Sequence, residues 1–275
     1  MGIPFVKMHG LGNDFVVLDG RAPLSGGNAL PEMTNRVAAA LADRKTGIGC
    51  DQLILLEPSN AADFRMRIFN ADGGEVEACG NATRAVGVLH GRPAKIETLA
   101  GILSTAPTAA GIAVDMGPPR LDWDRIPLAY AMDTLHMPVG WNELEDPVGV
   151  NMGNPHAVFF VPDCDAVALE HLGPLIEHDP LFPQRVNVNV ATVVDRETVR
   201  LRVWERGVGE TRACGTGACA TAVAAMRRGL TGRRVTIRLQ GGDLAIAWRE
   251  DDHVEMTGAA VISFRGEFDP SDYGA

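Results

Sequence analysis

A chain of 275 residues that is 46% hydrophobic, with mean hydropathy near zero, carries enough apolar material for one large domain or two ordinary ones. Its formal charge of −10 excludes the basic footprint that nucleic acid or an anionic membrane surface requires, and suits a solvated surface. No apolar run approaches the roughly 20 residues that cross a bilayer. The opening MGIPFVKMHG lacks both the apolar stretch of a secretion signal and the Ser or Thr of a myristoylation motif, with Val6 in its place; a cytoplasmic protein is expected.

In chain order, DFVVLD (14–19) predicts a strand. PEMTNRVAAALADR (31–44) predicts a helix opened by Pro31, with Met33, Val37, Ala40 and Leu41 on one face. QLILLEP (52–58) and FRMRIFN (64–70) are of strand length, and NATRAVGVLHG (81–91) is a small-residue helix stopped by glycine. AVFFVPD (157–163), ATVVD (191–195) and VRLRVWE (199–205) read as strands. A second small-residue helix follows in GTGACATAVAAMRRG (215–229), then the strands VTIRLQGG (235–242) and DLAIAW (243–248). Strands outnumber helices and alternate with them too little for a doubly wound sheet, so the fold class is α+β.

Laid on itself at an offset of 135 residues, the chain repeats. FRMRIFNADGGEVEACGNATRAVGV (64–88) lies without a gap over VRLRVWERGVGETRACGTGACATAV (199–223), pairing Arg67 with Arg202, Glu75 with Glu210, Cys79 with Cys214 and Gly80 with Gly215. GLGND (10–14) and NMGNPH (151–156) form a weaker echo. Two similar domains are expected. One spans 1–117 and is completed by 264–275; the other spans 118–263; the proline-rich MGPPRLDWDRIP (116–127) joins them.

The five cysteines are Cys50, Cys79, Cys164, Cys214 and Cys219. An odd number, with no CxxC pair and no zinc-ligand spacing, predicts reduced thiols and no metal site. Cys79 and Cys214 both stand where strand and loop hand over to a helix. There the helix dipole favours a thiolate, and the first backbone N–H groups can hold an anion such as a substrate carboxylate. Two such thiols from matched halves suit inversion of a stereocentre, one removing a proton and the other supplying one. The remaining cysteines read as small buried apolar side chains.

The residues resemble a known family. KMHGLGNDF (7–15), GIGCDQL (47–53), NADGGEVEACGNATR (70–84), MGNPHAV (152–158), RVNVN (185–189) and ERGVGETRACGTGACA (205–220) are similar to the motifs of diaminopimelate epimerase, in the family's order. The resemblance implies two pseudo-symmetric domains, each a curled β-sheet around a central helix. It implies a pyridoxal-independent isomerase, active without cofactor or metal and usually a homodimer, that interconverts LL- and meso-diaminopimelate for lysine and peptidoglycan precursor synthesis. Cys79 and Cys214 would be its acid/base pair. Asn13, Gln52, Asn70, Asn154 and Asn187 would hold the polar groups of the substrate, with Glu205 and Arg206 at its distal end. The backbones of Gly80-Asn81 and Gly215-Thr216 would grip the α-carboxylate, while His156 and Glu205 would tune the thiols. The chain departs from the family at Ala82-Thr83 and at Cys50. Competing readings are a proline or hydroxyproline racemase-like enzyme, a phenazine-type isomerase, and a thiol–disulfide redox protein.

Overall fold

Side-chain alternation gives the N-terminal half a sheet covered on both faces. In the strand Asn13–Asp19, Val16 and Leu18 enter one core cluster while Phe15 and Val17 enter another. In Gln52–Glu57, Leu53 and Leu55 part from Ile54 and Leu56 in the same way. The structure is a computed structural model that describes residues 2–23, 30–76 and 79–274. Glu77 and Ala78 of the first cysteine motif, and the two end residues Met1 and Ala275, lie outside the described residues.

The chain folds as two compact units, Met1–Val114 with Gly258–Ala275, and Asp115–Thr257. The units change over at 114/115 and 257/258, rather than at 117 and 263. The first unit holds β1 (Ile3–Gly10), β2 (Asn13–Asp19), α1 (Asn35–Ala42), β3 (Gln52–Glu57), β4 (Phe64–Asn70), β5 (Glu75–Val76), α2 (Gly80–His90), β6 (Ala94–Thr98), β7 (Gly101–Thr108) and β8 (Gly111–Asp115). The second holds a short hairpin of β9 (Gly140–Trp141) and β10 (Leu144–Glu145), then β11 (Val148–Asn151), β12 (Pro155–Phe160) and α3 (Leu169–Glu177). It continues with β13 (Asn187–Asp195), β14 (Thr198–Glu205), β15 (Gly209–Thr211), α4 (Gly215–Arg227), β16 (Arg234–Leu239), β17 (Gly242–Trp248) and β18 (Val254–Gly258). The last strand, β19 (Val261–Phe268), returns to pair antiparallel with β1 in the first unit.

The two units share one internal topology. In the first, β2 and β3 pair parallel, β3 and β4 antiparallel, and β4 takes β5 antiparallel and β6 parallel. In the second, β12, β13, β14, β15 and β16 repeat every one of these senses. The helix that follows the cysteine, α2 or α4, lies buried within its own unit. α4 is apolar or small on all sides and packs against β11, β12, β13, β14, β16 and β17. Small residues allow this closeness: a Cβ on Gly87 of α2 would stand 2.7 Å from Ile112 Cγ2.

Two local readings are corrected. α1 begins at Asn35 with Thr34 as its cap, accepting the Val37 N–H, so Pro31 lies outside the helix rather than opening it. Helix α3 was absent from the expected elements because Gly173 and Pro174 interrupt its pattern. It forms because Leu169, Leu172 and Ile176 fall on one face against the core of the second unit.

Candidate active site

Each cysteine of the repeat is the N-cap of its unit's central helix. Both have extended backbone, and each sulfur accepts a first-turn amide: Cys79 Sγ from Ala82 N–H at 3.5 Å, Cys214 Sγ from Gly217 N–H at 3.4 Å. Ser, Thr, Asp or Asn is the usual occupant of this position. A thiol there sits beside the helix's outward-pointing N–H groups and positive dipole end.

In the first unit, β1 and β2 meet in a two-residue turn with φ of 58° at Leu11 and 91° at Gly12, the doubly positive turn that matches strand twist. That turn delivers Asn13 to the cysteine. Asn13 Oδ1 lies 3.9 Å from Cys79 Sγ and accepts from Asn81 Nδ2 at 3.3 Å, while its Nδ2 donates to Asp51 at 3.0 Å. Arg44 bonds both Asp51 and Asp14, and Lys7 bonds Asp14. Burial alone would raise the Asp14 carboxyl, but the Arg44 and Lys7 bonds outweigh it and hold the group well below the usual range. Gln52 and Asn70 face each other across β3 and β4, Nε2 donating to Oδ1 at 3.0 Å. Gln52 Oε1 is buried without a protein partner, an acceptor that costs free energy until a ligand donor meets it.

In the second unit, the β14–β15 hairpin carries Glu205 and Arg206. Glu205 Oε1 accepts from the Thr211 hydroxyl, its carboxylate acts electrostatically on Cys214, and the Thr216 hydroxyl lies 3.5 Å from the sulfur. Asn187 is buried and holds backbone: it donates to Pro155 O at 2.9 Å and accepts from Arg206 N–H at 2.9 Å. The Arg206 guanidinium is steered by Gln184 O at 2.8 Å. His156 is taken at Nδ1 by Asn189 (3.1 Å) and at Nε2 by Asn154 (3.0 Å).

The expectation of a lowered thiol pKa is corrected for Cys214. Burial pushes the Cys214 thiol well above its ordinary value, the Glu205 carboxylate pushes it further, and the Thr216 and Gly217 bonds recover only part. Burial also raises Glu205, against the opposing bond from Thr211. Full burial pushes His156 down to about 4, so its ring is neutral near pH 7. Because the unfolded ring binds its proton near 6.5, acid favours the unfolded chain, and stability falls as pH drops from about 6.5 to about 4. The shift amounts to roughly 3 kcal/mol, so the acid slope of urea-unfolding free energy should flatten by about that much in His156→Asn.

Three residues of this site, Thr211, Asn189 and Glu177, were not foreseen. Thr211 bonds Glu205, and Asn189 joins His156 to α4 through Gly217 O (2.8 Å) and Thr221 (2.9 Å). Glu177, buried at the end of α3, accepts from the Trp204 indole and from Gly207 N–H, both at 2.8 Å, and so fixes both sides of Glu205-Arg206. Asn189 alone left a signal, since Asn187 and Asn189 put two amides on one face of an otherwise apolar strand. Trp204 lies over Gly173 of α3, where a Cβ would come within 2.4–2.8 Å of three ring atoms. Gly173→Ala should therefore cost about 1–3 kcal/mol, read as a lowered Tm, by displacing Trp204 from its Glu177 bond.

Among the described residues no His, Cys, Asp and Glu group of metal-binding size gathers, and no helix is long and apolar enough to cross a membrane. The sequence matches the family model described as diaminopimelate epimerase over residues 5–121 and 148–263. Diaminopimelate epimerase of Erythrobacter litoralis is 66% identical, covering 99% of this chain and 100% of its own; that of Rhizorhabdus wittichii is 63% identical, covering 100% and 98%. Among solved structures, a PhzF-family phenazine biosynthesis protein of Bacillus anthracis aligns with a TM-score of 0.69 at 18% identity over 98% of this chain and 99% of its own. A hydroxyproline epimerase of Agrobacterium vitis aligns at 0.62 and 15%, over 98% and 94%. At such identities these neighbours share the fold, whereas the epimerase match runs through both cysteine-capped helices and the loops that face them. The chain belongs to the diaminopimelate epimerase family.

Proposed function

We propose that this chain interconverts LL- and meso-diaminopimelate by a two-base exchange at one α-carbon, with Cys79 and Cys214 as the proton-transferring groups. The observation that carries the reading is the matched pair of thiol N-caps, one per unit, each ringed by polar side chains. One cysteine, as thiolate, takes the α-proton while the electron pair stays on carbon and spreads into the α-carboxylate. The other cysteine, as thiol, gives its proton to the opposite face, and its S–H bond electrons remain on sulfur. The carbon is inverted and the two sulfurs have exchanged protonation states.

The α-proton is a very weak acid, so charge growing on the carboxylate must be met by preorganised donors. In this reading the first-turn amides at Gly80-Asn81 and Gly215-Thr216 supply those donors. Glu205 is the acceptor for the Cys214 proton, and its raised affinity for protons suits it to the exchange. Arg206, with its guanidinium already held by Gln184, offers the charge for a second carboxylate. Asn13, Gln52, Asn70 and Asn154 supply the remaining polar contacts, and a homodimer in the cytoplasm belongs to the same reading.

Chiral chromatography after incubation with LL-diaminopimelate, L-proline and trans-4-hydroxy-L-proline tests the assignment. Epimerisation of diaminopimelate alone is expected. Turnover confined to either imino acid would overturn it.

A further inference from the structure

The side chains of His156 on β12 and Asn189 on β13, two residues out of register and each completely buried, meet at 3.1 Å, and the Gly217 carbonyl decides where the ring proton lies. A peptide carbonyl only accepts, so the Asn189 amide atom 2.8 Å from Gly217 O is its nitrogen, which lies also 2.9 Å from the Thr221 hydroxyl. The other end of that amide, Oδ1, stands 3.1 Å from His156 Nδ1 and likewise only accepts. Nδ1 must therefore carry a proton. A ring buried so deeply is neutral, which leaves a lone pair on Nε2.

Asn154 Oδ1 facing that lone pair at 3.0 Å would be repulsive. Exchanging the two ends of the amide, which are nearly equal in shape, restores a bond. We propose that Asn189 locks His156 as its Nδ1–H tautomer and thereby turns the Asn154 N–H toward the ring, leaving the Asn154 carbonyl to meet the substrate. The bond to the ring uses one Asn154 N–H and frees the carbonyl, an acceptor for a substrate donor such as a protonated amine. Asn189 is a positioning residue, acting on substrate through His156 and Asn154. The same amide grips Gly217, whose N–H caps the Cys214 sulfur. The part played by Asn154 rests on the epimerase reading; the tautomer does not.

The test is a long-range 1H–15N correlation spectrum of the imidazoles in the full-length, substrate-free protein near pH 7, with His156 assigned by its loss in His156→Asn. A pyrrole-like Nδ1 and a pyridine-like Nε2 are expected; the Nε2–H tautomer, or an imidazolium with both nitrogens protonated, would overturn the proposal. Asn189→Leu keeps volume but removes donor and acceptor. It should abolish the Nδ1–H state and raise KM for diaminopimelate about tenfold while kcat changes less. An unchanged tautomer and KM would count against the lock, and if this variant fails to fold the wild-type spectrum decides alone. An Nδ1–H ring in a protein inactive on diaminopimelate would sink the epimerase reading and leave the lock standing.

Discussion

Replacing either Cys79 or Cys214 by serine is expected to slow epimerisation by about 10²–10⁴-fold, and replacing both to cost little more than replacing one. Serine is the informative choice because it is itself a favoured N-cap. The bonds to Ala82 N–H and Gly217 N–H are kept, so α2 and α4 stay capped and Tm should hardly move. Proton transfer is what changes, since an alcohol is far too weak an acid to cycle as a thiol does. The non-additivity follows from the balance of the reaction. One sulfur's proton is given up as the other's is gained, so losing either partner stops the same step. Two single variants retaining full activity would remove the two-base mechanism.

Glu205→Gln should lower kcat by about 10²-fold or more, with the folded state intact. The direction separates two roles for the carboxylate. If Glu205 only shifted the thiol, its removal would relieve the charge that pushes Cys214 up, and activity would rise as the thiolate became easier to form. If Glu205 instead accepts the Cys214 proton, its loss leaves a buried thiol with no base beside it, and activity falls at every pH. The second outcome is expected because the Thr211 hydroxyl fixes the Glu205 carboxyl, and burial raises its affinity for a proton. A pH–rate profile of kcat/KM for the two proteins decides between them. A rise in rate, or a profile merely displaced to lower pH, would refute the base assignment.

Much of the candidate site could be proposed from the sequence because its chemistry is written locally. The cysteine, the glycine after it and the small-residue helix are contiguous in both halves, and an offset of 135 residues superposes them. The strands β2, β3 and β4 were equally plain, being short apolar or alternating runs between turn residues. What stayed hidden depends on contacts distant in sequence. Glu177 is one more acid at the end of a helix until Trp204 and Gly207 are seen to bond it. Asn189 means little until α4 brings the Gly217 carbonyl to its amide. The thiol's acidity was misjudged because its burial is not written in the motif. A helix N-terminus lowers a thiol pKa where water reaches it, but Cys214 is buried, the Glu205 carboxylate of the preceding hairpin adds to the rise, and the sum has the opposite sign.

The central claim, proton exchange between two cysteines at one α-carbon, is tested most directly by turnover of LL-diaminopimelate in deuterium oxide. Early in the reaction, the meso product should carry solvent deuterium at its inverted centre while recovered LL substrate carries almost none. Each face is served by a different sulfur, and only the donor has exchanged with solvent. Deuterium entering the LL substrate as fast as meso product appears would show a single base working both faces, and would contradict the account.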